Sequence, residues 1–164
     1  MRRQTPLLLL LLATTAAGEP RDEALDVVTR WAAAFTASDV TAITSLYAAD
    51  ATFIGTGSTS VLTGHDAIRG YFERALLVDR PRTAALGEHV TAVLSPHEVV
   101  VTGTDTVTRV RDGATVSARG RVTFVVAEID GAWRIVHFHR SAVPAASAPT
   151  PSDGTPRAPA SGER

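Results

Sequence analysis

The chain has 164 residues and a net charge of −1 at neutral pH, with 45% hydrophobic and 20% charged residues. This fits one globular domain with additional ends, and gives nucleic acid and acidic membranes no electrostatic hold. Every basic side chain is arginine and cysteine is absent, so disulfides, thiolate catalysis and cysteine-ligated metals are excluded.

The N-terminus, MRRQTPLLLLLLATTAAGEP, has the organisation of a signal peptide. Arg2 and Arg3 supply the positive region, Leu7 to Ala13 the apolar run, and Thr15, Ala16 and Ala17 small residues before a cleavage point. The expected leader is 1–18. An uncleaved anchor is the alternative, although the apolar run is shorter than the roughly 20 residues that span a bilayer. The expected product is a bacterial protein, secreted or periplasmic, with no stable membrane association after cleavage. At the other end, residues 145–164 are rich in Pro, Ala, Ser and Gly without apolar periodicity. Such a segment buries too little surface to offset its ordering entropy and is expected to be disordered.

The folded part is expected over 19–144. In DEALDVVTRWAAAFTASD, the spacing of Leu25, Val28, Ala32 and Phe35 predicts a helix. Asp39 is a cap for a second short helix, VTAITSLYAAD. ATFIGTG reads as a strand, and GHDAIRGYFERALLV as a third helix burying Ile68, Phe72, Ala75 and Leu76. Beyond Pro81 four strands follow: 83–93, 98–111, 115–128 and 133–141. RDGA and IDGA mark hairpin turns, because Asp-Gly tolerates the backbone a tight turn needs. Helices followed by an antiparallel meander predict an α+β fold, with helices covering one face of the sheet.

Strand alternation divides WRIVHFHRSAVP between two faces. Trp133, Ile135, His137 and His139 share one face, and Arg134, Val136, Phe138 and Arg140 the other. With a three-residue bulged turn at IDGA, Phe124 pairs with Val136 and Val122 with Phe138, while Arg121 sits beside His139. A strict two-residue turn would change the pairing. Arg140 at the rim of an apolar face is a candidate anion site, since guanidinium holds a carboxylate with two parallel hydrogen bonds. Its structural alternative is an ion pair with a local acid, Asp50 or Glu73. His137 and His139 at i, i+2 lack a third ligand, so no metal is assigned. Arg109, Arg111, Arg119 and Arg121 surround a hairpin with Asp105 and Asp112 nearby, a solvated hairpin rather than a nucleic-acid surface.

YFERAL, the DG-A-W turn and VHFHRS resemble the association domain of calcium/calmodulin-dependent protein kinase II and its kinase-free bacterial relatives of the SnoaL-like group. LYAADATFIG and GHDAIRGYF resemble the wider nuclear transport factor 2-like superfamily. The resemblance covers nearly all of Asp22 to Pro144. It implies a cone: three N-terminal helices packed on a curved antiparallel sheet, with a pocket at the open end lined by Arg140, Phe124, Phe138 and Tyr71. It implies pairing of copies through the outer face carrying His137, His139 and Arg121, as a homodimer or higher oligomer. A small organic ligand, carboxylates included, is the implied occupant, with Arg140 matching the family's pocket arginine. The family's two other pocket arginines fall at Thr106 and Phe124, and its helix histidine at Ile68. No cofactor is implied. The alternative reading is a SnoaL-like isomerase, cyclase or hydrolase using an Asp with Tyr partners, for which Asp39, Asp50, Tyr47 and Tyr71 are the candidates.

Overall fold

A computed structural model describes residues 18–144; the expected tail and residues 1–17 of the expected leader lie outside the described residues. The order is α1 (Pro20–Ala37), α2 (Val40–Ser45), β1 (Tyr47–Ile54), β2 (Leu62–Thr63), α3 (His65–Leu76), β3 (Arg82–Ser95), β4 (Glu98–Arg111), β5 (Ala114–Ile129) and β6 (Ala132–Ala142). One six-stranded sheet has the order β2-β1-β6-β5-β4-β3. The fold is α+β, with helices packed on one face of the curved sheet.

Local chemistry explains the helix ends. Pro20 occupies the first turn of α1, where its missing N–H costs nothing. Asp39 caps α2 by accepting a hydrogen bond from the Ala42 N–H at 2.8 Å. The second helix is shorter than expected: Tyr47 to Asp50 belong to β1. The cause is tertiary. The Ile135 N–H donates to Leu46 O at 2.8 Å, so sheet pairing begins where the helical pattern would continue. β1 lies parallel to β6, which adds a mixed pair to the otherwise antiparallel meander.

The four long strands match the expected ones within three residues at each end. The last hairpin corrects the expected register. Asp130 and Gly131 have φ of 51° and 74°, a two-residue turn of the type that matches strand twist. Val126 therefore faces Ile135, but Val125 faces His137, and Val136 is an extra residue without a partner. This bulge restores the apolar alignment that the turn alone would have lost. Phe124 faces Phe138 and Val122 faces Arg140, two residues farther along β6 than the expected alignment. Ile135, expected beside the histidines, is buried in the core.

The core is organised around Trp31. The buried stripe of α1 is Ala24, Val27, Val28, Trp31, Ala34 and Phe35, with Leu25 and Ala32 at its edge. Trp31 stacks on Phe35 and Phe138, with ring centroids 5.4 and 5.2 Å away, and meets Phe124 edge-on at 5.4 Å. Its indole N–H donates to the Tyr47 hydroxyl at 2.9 Å. Helix, first strand and meander therefore meet at one side chain. Replacing Trp31 by Ala is expected to cost about 3–5 kcal/mol, the range for emptying a buried aromatic site. Urea unfolding of the variant measures this; a loss below about 1 kcal/mol would show that the cluster is not organised around the indole.

Candidate functional site

The concave face of β4, β5 and β6 brings together two charged side chains that neighbour each other only in the folded chain. Asp105 on β4 faces Gly120 on β5, and Gly120 faces Ala142, two residues from Arg140 on the same side of β6. Arg140 Nε donates to Asp105 Oδ2 at 2.6 Å, with side-chain exposures of 11% and 6%. Arg140 Nη1 donates to Thr56 Oγ1 at 2.7 Å, and Nη2 to Ala118 O at 3.1 Å. The guanidinium is thus committed on three sides. Gly120 makes this possible: a Cβ there would lie 2.5 Å from Asp105 Oδ1 and 2.6 Å from the guanidinium carbon.

This settles which acid pairs with Arg140. It is Asp105, rather than Asp50 or Glu73, and both of those are exposed. Asp105, expected on a solvated hairpin, is only 5% exposed. A carboxylate ligand at Arg140 would have to compete with a buried ion pair and two further acceptors.

The second carboxylate oxygen, Asp105 Oδ1, is buried without a hydrogen-bond partner among the described residues. Asp105 lines a small cavity with Val28, Trp31, Ala32, Ala84, Leu86, Val122 and Phe124. Its accessible volume is about 10 Å³, room for about one water molecule. An unpaired acceptor in an apolar wall is costly unless something donates to it, so this oxygen is the polar point of the cavity. Ala32 and Ala84 place small side chains along the seam between α1 and β3.

The other expected site residues are distributed differently. Phe124 lines the cavity, whereas Phe138 lies deeper, stacked on Phe53 at 4.9 Å. Tyr71 packs on Phe53 at 4.6 Å and covers Gly55, away from the cavity lining. Burial pushes its phenol upward, opposed by a backbone hydrogen bond from Gly57 and by the charges of Arg140, Arg82 and Arg74. Tyr47 is fully buried, which raises its phenol well above the ordinary value, and its oxygen is engaged by Trp31. Asp39 is the helix cap and Asp50 is exposed, so neither points into the interior. The inward carboxylate is Asp105. Its signal in the sequence is its place on the Val99, Val101, Asp105 side of a β-strand, in register with a glycine.

His137, His139 and Arg121 lie on the outer face, with Thr123 rather than Arg121 directly beside His139. His137 Nδ1 shares a 2.7 Å hydrogen bond with Thr52 Oγ1. Among the described residues no group of three potential ligands gathers around a metal position.

The pattern of the SnoaL-like domain family matches residues 24–146. The chain belongs to this family. Among solved structures, it is similar to a protein from Xanthomonas campestris provisionally named a calcium/calmodulin-dependent protein kinase II association domain. That match has 30% identity and a TM-score of 0.70, over 81% of this chain and 94% of the other. A Novosphingobium aromaticivorans protein with an NTF2-like, cystatin-like fold matches at 19% identity and TM-score 0.67, over 79% and 85%. A protein from the same species provisionally named a scytalone dehydratase matches at 13% identity and TM-score 0.68, over 74% and 83%. These two share the fold. No curated protein matches.

Burial lowers the His137 pKa below 6.5, and the charge of His139 lowers it further. The unfolded chain therefore takes up this proton first on acidification. Its contribution to stability is present above pH 6.5 and is lost as the pH falls through the lowered folded value. An NMR titration is expected to place His137 below 6.5 and to move it upward in His139→Gln. A value at or above 6.5 would contradict the assignment.

Proposed function

We propose that this SnoaL-like chain binds a small, mainly apolar ligand whose one hydrogen-bond donor reaches Asp105 Oδ1, the water-sized cavity widening at the Ala32–Ala84 seam between α1 and β3 to admit it. The observation that carries this reading is the unpartnered carboxylate oxygen in the wall of an apolar cavity. A hydroxyl or amine donor would satisfy it. Arg140 then acts on the ligand indirectly, by holding Asp105 Oδ2 and so fixing the orientation of the carboxylate. The organic acid implied by the family resemblance fits this cavity poorly, because a negative ligand would meet the free oxygen of Asp105 before any unoccupied cation.

The reading includes export of the mature domain and pairing of two copies through the outer sheet face bearing His137, His139 and Arg121. That face carries polar side chains at Thr102, Thr123 and His139 beside the exposed Arg121, which leaves it open to a second copy.

A second reading is favoured by the same oxygen. A buried carboxylate with one open lone pair is positioned to accept a proton from a bound substrate, so an isomerase, cyclase or hydrolase would use Asp105 as its base. Asp39 and Asp50 have no such access.

Phenol and toluene separate these ideas from simple cavity filling. They have similar shapes, and only phenol has a donor. Phenol is expected to bind about tenfold more tightly, as a hydrogen bond to a charged acceptor would provide. Asp105→Asn should narrow the gap, and native mass spectrometry of the mature chain should show a dimer or larger assembly. Equal binding of phenol and toluene, measured calorimetrically, would remove Asp105 from the site. A strict monomer would remove the pairing.

A further inference from the structure

A second cluster of charge lies farther along β4, outside the cavity. Arg82 begins β3 and faces Arg109 across the β3–β4 ladder. Arg111 follows two residues later, on the same side of the strand as Arg109. Asp79, between α3 and β3, is the acid that both β4 arginines approach. Arg109 Nε lies 3.7 Å from its Oδ2, and Arg111 Nε 3.4 Å from the same oxygen. Three guanidinium groups therefore gather around one carboxylate.

The hydrogen bonding is incomplete. Arg109 Nε is buried and has no hydrogen-bond partner among the described residues, since 3.7 Å is beyond bonding distance. Arg82 is 8% exposed and uses Nε on Val78 O at 2.8 Å. Burial and the neighbouring charge of Arg109 both press against its protonation, with Asp79 opposing them. Three guanidiniums share one carboxylate, so the cluster combines an excess of positive charge with a donor, Arg109 Nε, that is free to bind an anion. The cluster is also reachable, because the Arg109 and Arg111 side chains are 39% and 56% exposed.

We propose that Arg82, Arg109 and Arg111 form a binding site for a phosphate-type oxyanion, free or as the phosphoryl group of a small molecule. Two uncompensated positive charges favour a dianion over a monocarboxylate. The tetrahedral arrangement of its oxygens suits donors arriving from adjacent strands and successive strand positions. Asp79 sets the affinity by competing for Arg109 and Arg111. The site is about 13 Å from Asp105 by strand rise, four residues along β4, so it stands or fails independently of the cavity.

Inorganic phosphate is the probe, titrated calorimetrically into the full chain at low ionic strength, with acetate as the comparison. Phosphate is expected to bind at least about tenfold more tightly than acetate. Arg109→Gln should weaken phosphate binding by about tenfold or more, the loss of one charge-assisted contact. Arg111→Gln, at a more exposed position, should retain the fold and weaken binding in the same direction. Asp79→Asn should tighten it, and Arg119→Gln on the outer face should leave it unchanged. The proposal is overturned by failure of both the wild type and Asp79→Asn to bind phosphate. It is also overturned by acetate binding equally well, or by wild-type affinity in both Arg109→Gln and Arg111→Gln.

Discussion

The ion pair between Asp105 and Arg140 is the constraint on which the rest of the site depends. Two nearly buried charges are tolerable only when each is paired and hydrogen-bonded. The fold supplies the conditions one at a time. β4 presents Asp105 on the concave face, Gly120 on β5 leaves room for the contact, and the β6 bulge at Val136 keeps Arg140 on the same side. Thr56 and Ala118 O take up the remaining edge of the guanidinium. The pair thereby ties the loop after β1 to three strands of the sheet. It also determines the polarity of the interior, because the oxygen left over is an acceptor facing an apolar space.

The aromatic cluster sets the shape of that space. Trp31 forms part of the cavity wall and also stacks on Phe138 and bonds Tyr47. Any change that shifts α1 against the sheet moves the wall and the core together. The narrowness of the cavity follows from this packing, and the alanines at the seam of α1 and β3 are where it can widen with least disturbance.

Much of the fold is legible along the chain. The 3.6-residue pattern of Ile68, Phe72 and Leu76, the Asp39 cap and the two Asp-Gly turns each record a local rule that the structure obeys. The faces of Phe138, His137, His139 and Arg140 also follow from alternation. What alternation could not supply was the extra residue at Val136, because a bulge is set by the fit of two strands and not by either one. Tyr47 reads as helical for a similar reason: its local pattern continues α2, while its backbone pairs with β6. The site was less legible than the fold. Arg140 is visible as a family signature, but its partner lies 35 residues away in sequence, on another strand. Arg109 and Arg111 look like solvated hairpin charges until β3 brings Arg82 beside them.

The most direct test of this account is a double-mutant cycle on Asp105 and Arg140, using Asn and Gln replacements and measuring unfolding free energies in urea. The account predicts that each single replacement destabilises the protein by about 3 kcal/mol or more, because it leaves a buried charge without its partner. It predicts that the double variant loses much less than the sum, with a coupling above about 1 kcal/mol. Additivity within about 0.5 kcal/mol would contradict it, showing that the two side chains do not depend on each other.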